Sequence, residues 1–183
     1  MRKYLLCLLF LFIASPVMGL EIGGVTVPEE LDTDLRLNGA GIRSKLFFKI
    51  YIGELYLEQP SHDAAAILDS PGRKRMVMHM LYDKVEKEKL VDGWNDGFSA
   101  NLTPQQLQGL SEKIQQFNEL FIDVHGGENI ILDYTPDKGT TVSIGGEVKG
   151  VIEGEKFNRA LLSIWLGEKP VTDDLRDALL GKE

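Results

Sequence analysis

The stretch Leu37-Asn38-Gly39-Ala40-Gly41-Ile42-Arg43, continued by Lys45-Leu46-Phe47-Phe48-Lys49-Ile50-Tyr51-Ile52-Gly53-Glu54-Leu55-Tyr56-Leu57, decides how the rest of the chain is read. It is the most β-prone part of the sequence, dense in aromatic and β-branched residues. Leu35 and Leu37 alternate ahead of Arg43, which predicts a strand over residues 35–43. Ser44-Lys45 predicts a turn, and residues 46–58 a long second strand. Its two faces are both apolar: Leu46, Phe48, Ile50 and Ile52 on one, Phe47, Tyr51, Leu55 and Leu57 on the other. A strand of that kind is covered on both sides. Gly53 in its middle predicts a bulge or a close approach. Gly39 and Gly41 let the backbone twist or bulge and re-aim the Arg43 side chain. A guanidinium on so apolar a strand needs a partner, because an unpaired buried charge is costly. Either a carboxylate of the protein or a ligand supplies it.

Outward to the N-terminus, Met1-Arg2-Lys3 is basic and residues 4–14 are an unbroken apolar run of eleven. As a helix that run spans only ~16 Å against a hydrocarbon core of ~30 Å. Ser15-Pro16-Val17-Met18-Gly19 breaks it, with small side chains at Val17 and Gly19 placed as a signal peptidase requires. Residues 1–19 therefore read as a cleaved secretory signal, with the mature chain a single domain over residues 20–183, exported to the periplasm or secreted. Cys7 lies inside the apolar run, so the exported chain has no cysteine and its stability rests on its core. Its 164 residues suffice for one. It carries 18 basic against 28 acidic side chains, a net charge of −10. That argues against nucleic acid and against anionic membrane surfaces as partners. No later segment is long and apolar enough to span a bilayer, so no stable membrane insertion is expected after the signal is removed.

Around the central stretch, residues 21–28 read as a hairpin turning at Gly23-Gly24. Residues 63–70 form a short helix and residues 74–82 a strand with Met76, Met78 and Met80 on one face. Residues 86–101 are helical, with Leu90, Trp94 and Phe98 on one side. Thr103-Pro104-Gln105-Gln106 carries a helix N-cap, a proline at the first helical position and a glutamine three after the cap. Leu107, Leu110, Ile114, Phe117 and Leu120 follow at spacings of 3, 4, 3 and 3, an apolar stripe that packs the helix onto a sheet. Three strands joined by Gly-rich turns, over residues 129–134, 140–144 and 147–153, make an antiparallel meander. Helices over residues 157–167 and from the Thr172 cap to Leu180 close the chain. The order predicts an α+β fold, helices on one face of an antiparallel sheet.

Motifs for zinc, nucleotide, phosphate or serine-nucleophile chemistry are missing, so no metal and no cofactor is expected. His62, His79 and His125 are scattered. Asp123 and His125 read as solvated turn residues, and Glu86-Lys87-Glu88-Lys89 as a solvated helix face. The residues left to carry chemistry are Arg43, Lys45, Lys49, Tyr51, Tyr82 and Trp94.

The segment Gly39-Ala40-Gly41-Ile42-Arg43, with Lys49-Ile50-Tyr51, Gly53 and Leu55-Tyr56-Leu57 after it, resembles the chalcone isomerase family. It is most similar to bacterial chalcone isomerase-like proteins and to the plant members that bind fatty acids. The end of the chain is similar as well: a helix closing in Trp165-Leu166-Gly167, then Pro170-Val171 and a short helix with Leu175. The resemblance covers almost all of the mature chain. It implies an open-faced β-sandwich with a ligand cleft between sheet and helices. It also implies that Arg43 and Tyr51 project into the cleft and, as in the fatty-acid-binding branch, hold a carboxylate. That suits their chemistry, a bidentate fork and one O–H donor. Phe48, Met78, Tyr82 and Trp94 are the candidate lining of the cleft.

In the catalytic members of that family the same arginine orients a phenolate, and a threonine, a second tyrosine, a lysine and an asparagine stabilise an enolate. Here the threonine position is Tyr51, and residues 86–93 offer no tyrosine or asparagine at the matching spacing. The electrostatic stabilisation an enolate needs is incomplete. The expected function is therefore a non-catalytic binder of a small amphipathic acid such as a fatty acid. An isomerase acting on a phenolic enone and a protein-interaction module are the alternatives, and nothing in the pattern sets an oligomeric state. The signal reading has a direct check: the intact mass of the exported protein should begin at Leu20. A membrane-bound species retaining residues 1–19 overturns it.

Overall fold

The computed structural model describes residues 19–31 and 34–182. The export signal read over residues 1–19 lies outside these residues except for Gly19. The first elements are the hairpin expected around Gly23-Gly24, β1 (Gly19–Ile22) paired with β2 (Val25–Pro28). Both glycines sit at positive φ, 61° and 87°, where side chains are disfavoured.

After β3 (Glu30–Leu31) come the two long strands, β4 (Leu35–Lys45) and β5 (Phe48–Leu57). The turn between them falls on Leu46-Phe47, two residues later than Ser44-Lys45, and Leu46 adopts φ 56°. The reason is a register shift between Arg43 and Ser44 that carries β4 through the polar pair before the chain reverses. Short helix α1 (Ala64–Asp69) begins at Asp63, whose carboxylate accepts the backbone N–H groups of Ala65 and Ala66. Strand β6 (Lys74–Met80) follows. Next come β7 (Lys84–Val85), helices α2 (Lys87–Asn101) and α3 (Pro104–Glu119), and β8 (Val124–His125). The ribbon of β7 with β8 is too short to have been read from the sequence. The meander is β9 (Asn129–Thr135), β10 (Gly139–Ile144) and β11 (Glu147–Ile152), and the chain ends in α4 (Glu155–Leu166) and α5 (Asp173–Leu179).

Seven strands form one antiparallel sheet in the order β11-β10-β9-β6-β5-β4-β3. With its helices the chain is α+β, as the order of elements in the sequence predicts. One face of β5, bearing Tyr51, Leu55 and Leu57, meets the helices. The other, bearing Ile52 and Tyr56, packs with Val27 of the β1–β2 hairpin, Leu35 and Val77. The strand is thus covered on both faces, as its composition required.

The helix-side core is built on aromatic rings. Trp94 touches Phe121 and Trp165 at centroid distances of 5.3 and 5.7 Å, and Phe117 touches Phe121 at 4.8 Å and Phe157 at 5.4 Å. Thr103 and Gln106 form the reciprocal cap that opens α3. Of the α3 stripe only Phe117 is fully buried. Leu107, Leu110, Ile114 and Leu120 are half-buried, because α3 packs on α2 and on β11 at the edge of the sheet rather than across its middle. Leu120 rests there on Gly150, where a Cβ would come within 2.6 Å of its Cδ2 atom.

On the hairpin side, Glu54 is buried under β2. The Tyr56 hydroxyl stands 2.8 Å from a Glu54 oxygen and 3.0 Å from the Pro28 carbonyl. The hydroxyl donates to the carboxylate, and its one proton is shared with the Pro28 carbonyl. Burial raises the Glu54 carboxyl above its ordinary value and outweighs the lowering effects of Tyr56 and His79. The folded state therefore binds the Glu54 proton more tightly than the unfolded chain. This contribution to stability is full below the ordinary carboxylate range and fades as pH rises through the raised value. Glu54→Gln keeps a donor and an acceptor without the titration. It should melt above the wild type at about pH 8 and alongside it at about pH 4. Equal melting temperatures at both pH values overturn this account.

Candidate functional site

Strand β4 alternates, so Gly39, Gly41 and Arg43 share the face turned to the helices. The two glycines are the seat of α5. A Cβ at Gly39 would run into the Ala178 carbonyl, and one at Gly41 would lie 2.6 Å from the Ala178 Cβ. Gly53, opposite Gly41 on β5, takes Leu175 in the same way, which makes it a close approach rather than a bulge. Asn38 fastens the far end of the helix, donating to the Leu179 carbonyl at 2.7 Å while accepting from the Ser61 backbone N–H at 2.6 Å. The glycines ahead of Arg43 thus serve helix packing, and the expected irregularity is there as well: β4 shifts register between Leu37 and Gly39, and again between Arg43 and Ser44.

Arg43 is the next residue on that face, and it opens onto a cleft of about 690 Å³ bounded by β4, β5, β6, α2, α4 and the segment leading into α5. That size lies in the range of small-ligand sites. The register sets Arg43 opposite Tyr51 and Tyr51 opposite Met80, a row of three side chains on one face. The guanidinium carbon lies 5.7 Å from the centre of the Tyr51 ring. Arg43 is half-buried and forms no ion pair with a carboxylate among the described residues, and its Nε is buried without a hydrogen-bond partner.

Tyr51 is only 4% exposed. Its hydroxyl accepts the indole N–H of Trp165 at 2.9 Å. Burial pushes the phenol up to about 12, against the opposing effects of the Arg43 charge and the Trp165 bond. It is a neutral hydroxyl at physiological pH. With Trp165 on its acceptor side, its own proton is directed to no other described residue.

Among the residues singled out in the sequence, Met78, Tyr82 and Trp94 join Arg43 and Tyr51 in the lining. Phe48 is not in it. It stands at the mouth, edge-on to Tyr82 with ring centres 5.7 Å apart. Lys45 lines the mouth and Lys49 does not. Asp123 and His125 lie outside; both are exposed, and Asp123 pairs with Lys84 at 2.7 Å.

The sequence reading missed Trp165 as a site residue. An indole on an apolar helix face carries an N–H that must find an acceptor, and that was the available signal. Met80, on the same thioether face as Met78, joins the lining as well. Glu86 and Lys89, read as a solvated run, border the cleft. The rim is polar and mixed, with Lys45, Lys84, Lys89 and Lys169 beside Glu86, Asp92 and Asp96. Asn101 holds part of it, donating to the Gly97 and Lys169 carbonyls and accepting from the Lys169 N–H.

Arg43 and Tyr51 thus stand side by side in a cleft between an antiparallel sheet and its helices. Residues 19–181 match the sequence profile of the chalcone isomerase-like proteins, and the chain belongs to that family. No functionally curated protein matches the sequence. Among the solved structures it is similar to a fatty-acid binding protein of Arabidopsis thaliana, with a TM-score of 0.65 and 17% identity, over 86% of this chain and 92% of that one. At that identity the likeness shows a shared fold.

The Trp165 bond generates a test. Tyr51→Phe preserves the ring and leaves the indole N–H buried without an acceptor. Stability should fall by about 1–3 kcal/mol in denaturant titration. An unchanged midpoint overturns the bond as drawn.

Proposed function

We propose that this protein is a non-catalytic binder of a small amphipathic carboxylic acid, such as a fatty acid, acting in the periplasm after export. The observation that carries the reading is Arg43. It is a half-buried cation without a carboxylate partner among the described residues, beside a hydroxyl whose own proton has no described acceptor, at the head of a cleft with apolar walls. A carboxylate would complete both groups. Arg43 offers it a charged fork and Tyr51 a single neutral donor. Because the phenol is held protonated, it suits donation to an anion better than proton abstraction. Met78, Met80 and Trp94 would take the hydrocarbon tail, the thioethers adapting to its shape.

The Arabidopsis relative by fold is a fatty-acid binding protein, which supports a ligand of this class. A net charge of −10 on the mature chain makes a cation kept free in the cleft a selective feature for an acid. Export follows from residues 1–19 as read in the sequence.

Arg43→Met decides between a ligand anchor and a structural ion pair. As an anchor the arginine strands no partner when removed, so thermal stability should hold or rise while binding of a fluorescent fatty acid is lost. A stability loss of ~3–5 kcal/mol with binding unchanged marks a buried ion pair and sinks the reading. Native mass spectrometry of gently purified wild type should show a co-purifying acid. Turnover of a hydroxychalcone by wild type overturns the non-catalytic assignment.

A further inference from the structure

The β4–β5 turn has an organisation that folding does not require. Leu46 is 85% exposed, Phe47 97% and Phe48 55%. A two-residue reversal of this kind favours Asn-Gly or Asp-Gly, since it needs left-handed backbone. Here Leu46 holds φ 56°, a conformation that costs a leucine energy and an asparagine little. Three large apolar side chains thus stand in water at a strained tip. They are flanked by Lys45 and Lys49, both exposed.

The tip lies at the end of the two strands that carry Arg43 and Tyr51, and Lys45 beneath it lines the mouth of the cleft. Phe48 is in edge contact with Tyr82, also of the lining. The occupant of the tip would therefore also face the opening.

We propose that the Leu46-Phe47-Phe48 tip docks the protein on the surface of an anionic phospholipid bilayer, with the cleft mouth facing the lipid. The inference rests on reading the cleft as a site for an amphipathic acid, and it names the source from which that acid is loaded. Two physical features select a bilayer over a protein. Three side chains on a narrow turn are far short of the ~800 Å² per partner that a stable protein interface buries. They match what shallow interfacial anchoring uses: apolar groups entering the acyl boundary, with lysines beside them at the headgroups.

The net charge of the whole chain argued against such a surface. A contact confined to the tip answers to local charge instead, because exposed charges beyond ~10 Å are screened at ordinary ionic strength. Docking of this kind is peripheral. Among the described residues no helix is long and apolar enough to cross a membrane.

The test is co-sedimentation with vesicles of phosphatidylethanolamine containing about a quarter phosphatidylglycerol, beside vesicles of phosphatidylcholine alone. The wild type should bind the anionic vesicles and release from them at high salt. It should bind phosphatidylcholine weakly. The double variant Leu46→Asn, Phe47→Ser should lose at least about tenfold in vesicle affinity. Neither residue lines the cleft, and asparagine suits the left-handed position, so its melting temperature and its titration with a fluorescent fatty acid in solution should match the wild type. No binding by the wild type, or equal binding by both proteins, overturns the proposal. Self-association that the double variant abolishes, without vesicle binding, identifies a contact between copies and also overturns it. Failure of the cleft reading shows separately: Arg43→Met would then retain fatty-acid binding, whatever the tip does.

Discussion

A helix can lie directly on a sheet only where side chains leave room for it. In this protein the room is made at Gly39, Gly41 and Gly53, where a Cβ would strike α5. The period of two along β4 puts the next residue of that face, Arg43, just past the seat. The same alternation buries Ile42 with Ile52 under the N-terminal hairpin. Packing thus sets where the helix cover ends, and the first side chain beyond that edge is the charged one. Arg43, half-buried, therefore lies just past the α5 seat and opens onto the cleft.

The second constraint is polar. Tyr51 enters an apolar region from the strand and Trp165 from helix α4, and each would be costly there alone. The bond between them resolves the indole N–H completely and the phenol only in part, since the hydroxyl proton is left over. Burial keeps that proton on the oxygen, and Arg43 nearby pulls the other way without prevailing. A neutral donor and a permanent cation stay side by side without repulsion, which two cations at this separation would not. Arg43 remains half-buried and so retains part of its hydration. The pair is tolerable before any anion arrives.

Much of this was legible in the sequence, because the signals were local. The Gly23-Gly24 hairpin, the Thr103–Gln106 cap, the meander and the two-sided apolar character of β5 each follow from a short pattern. The importance of Arg43 followed from a charge out of place among β-formers. What was not legible depended on distant partners. A local reading of Gly39 and Gly41 offers a bulge, which β4 has between Leu37 and Gly39, but their packing on Ala178 lies far away in the chain. Tyr51 finds Trp165 across 114 positions. Ser44-Lys45 is the pair in this stretch that favours a turn. A register shift beside Arg43 overrode that preference and left Leu46-Phe47, which read as strand, to make the reversal.

That shift has a wider consequence. A one-residue slip in a strand moves every side chain to the opposite face. In β4 such a slip would set Ala40 and Ile42 against α5 and turn Arg43 toward the hairpin-side core, where burial without a partner is prohibitive. Three contacts hold the register against it: the glycine seat, the packing of Ile42 and Ile52 beneath the hairpin, and Asn38 tied to the end of α5. All three lie on the body side of Arg43. Beyond it the bulge releases the last residues of β4 from the alternation that the core imposes. The tip is therefore free to carry Leu46, Phe47 and Phe48 outward while Arg43 and Tyr51 stay fixed inward. A single hairpin can present an apolar end to its surroundings and a charged row to a cleft only if its register is locked behind the charge and relaxed in front of it.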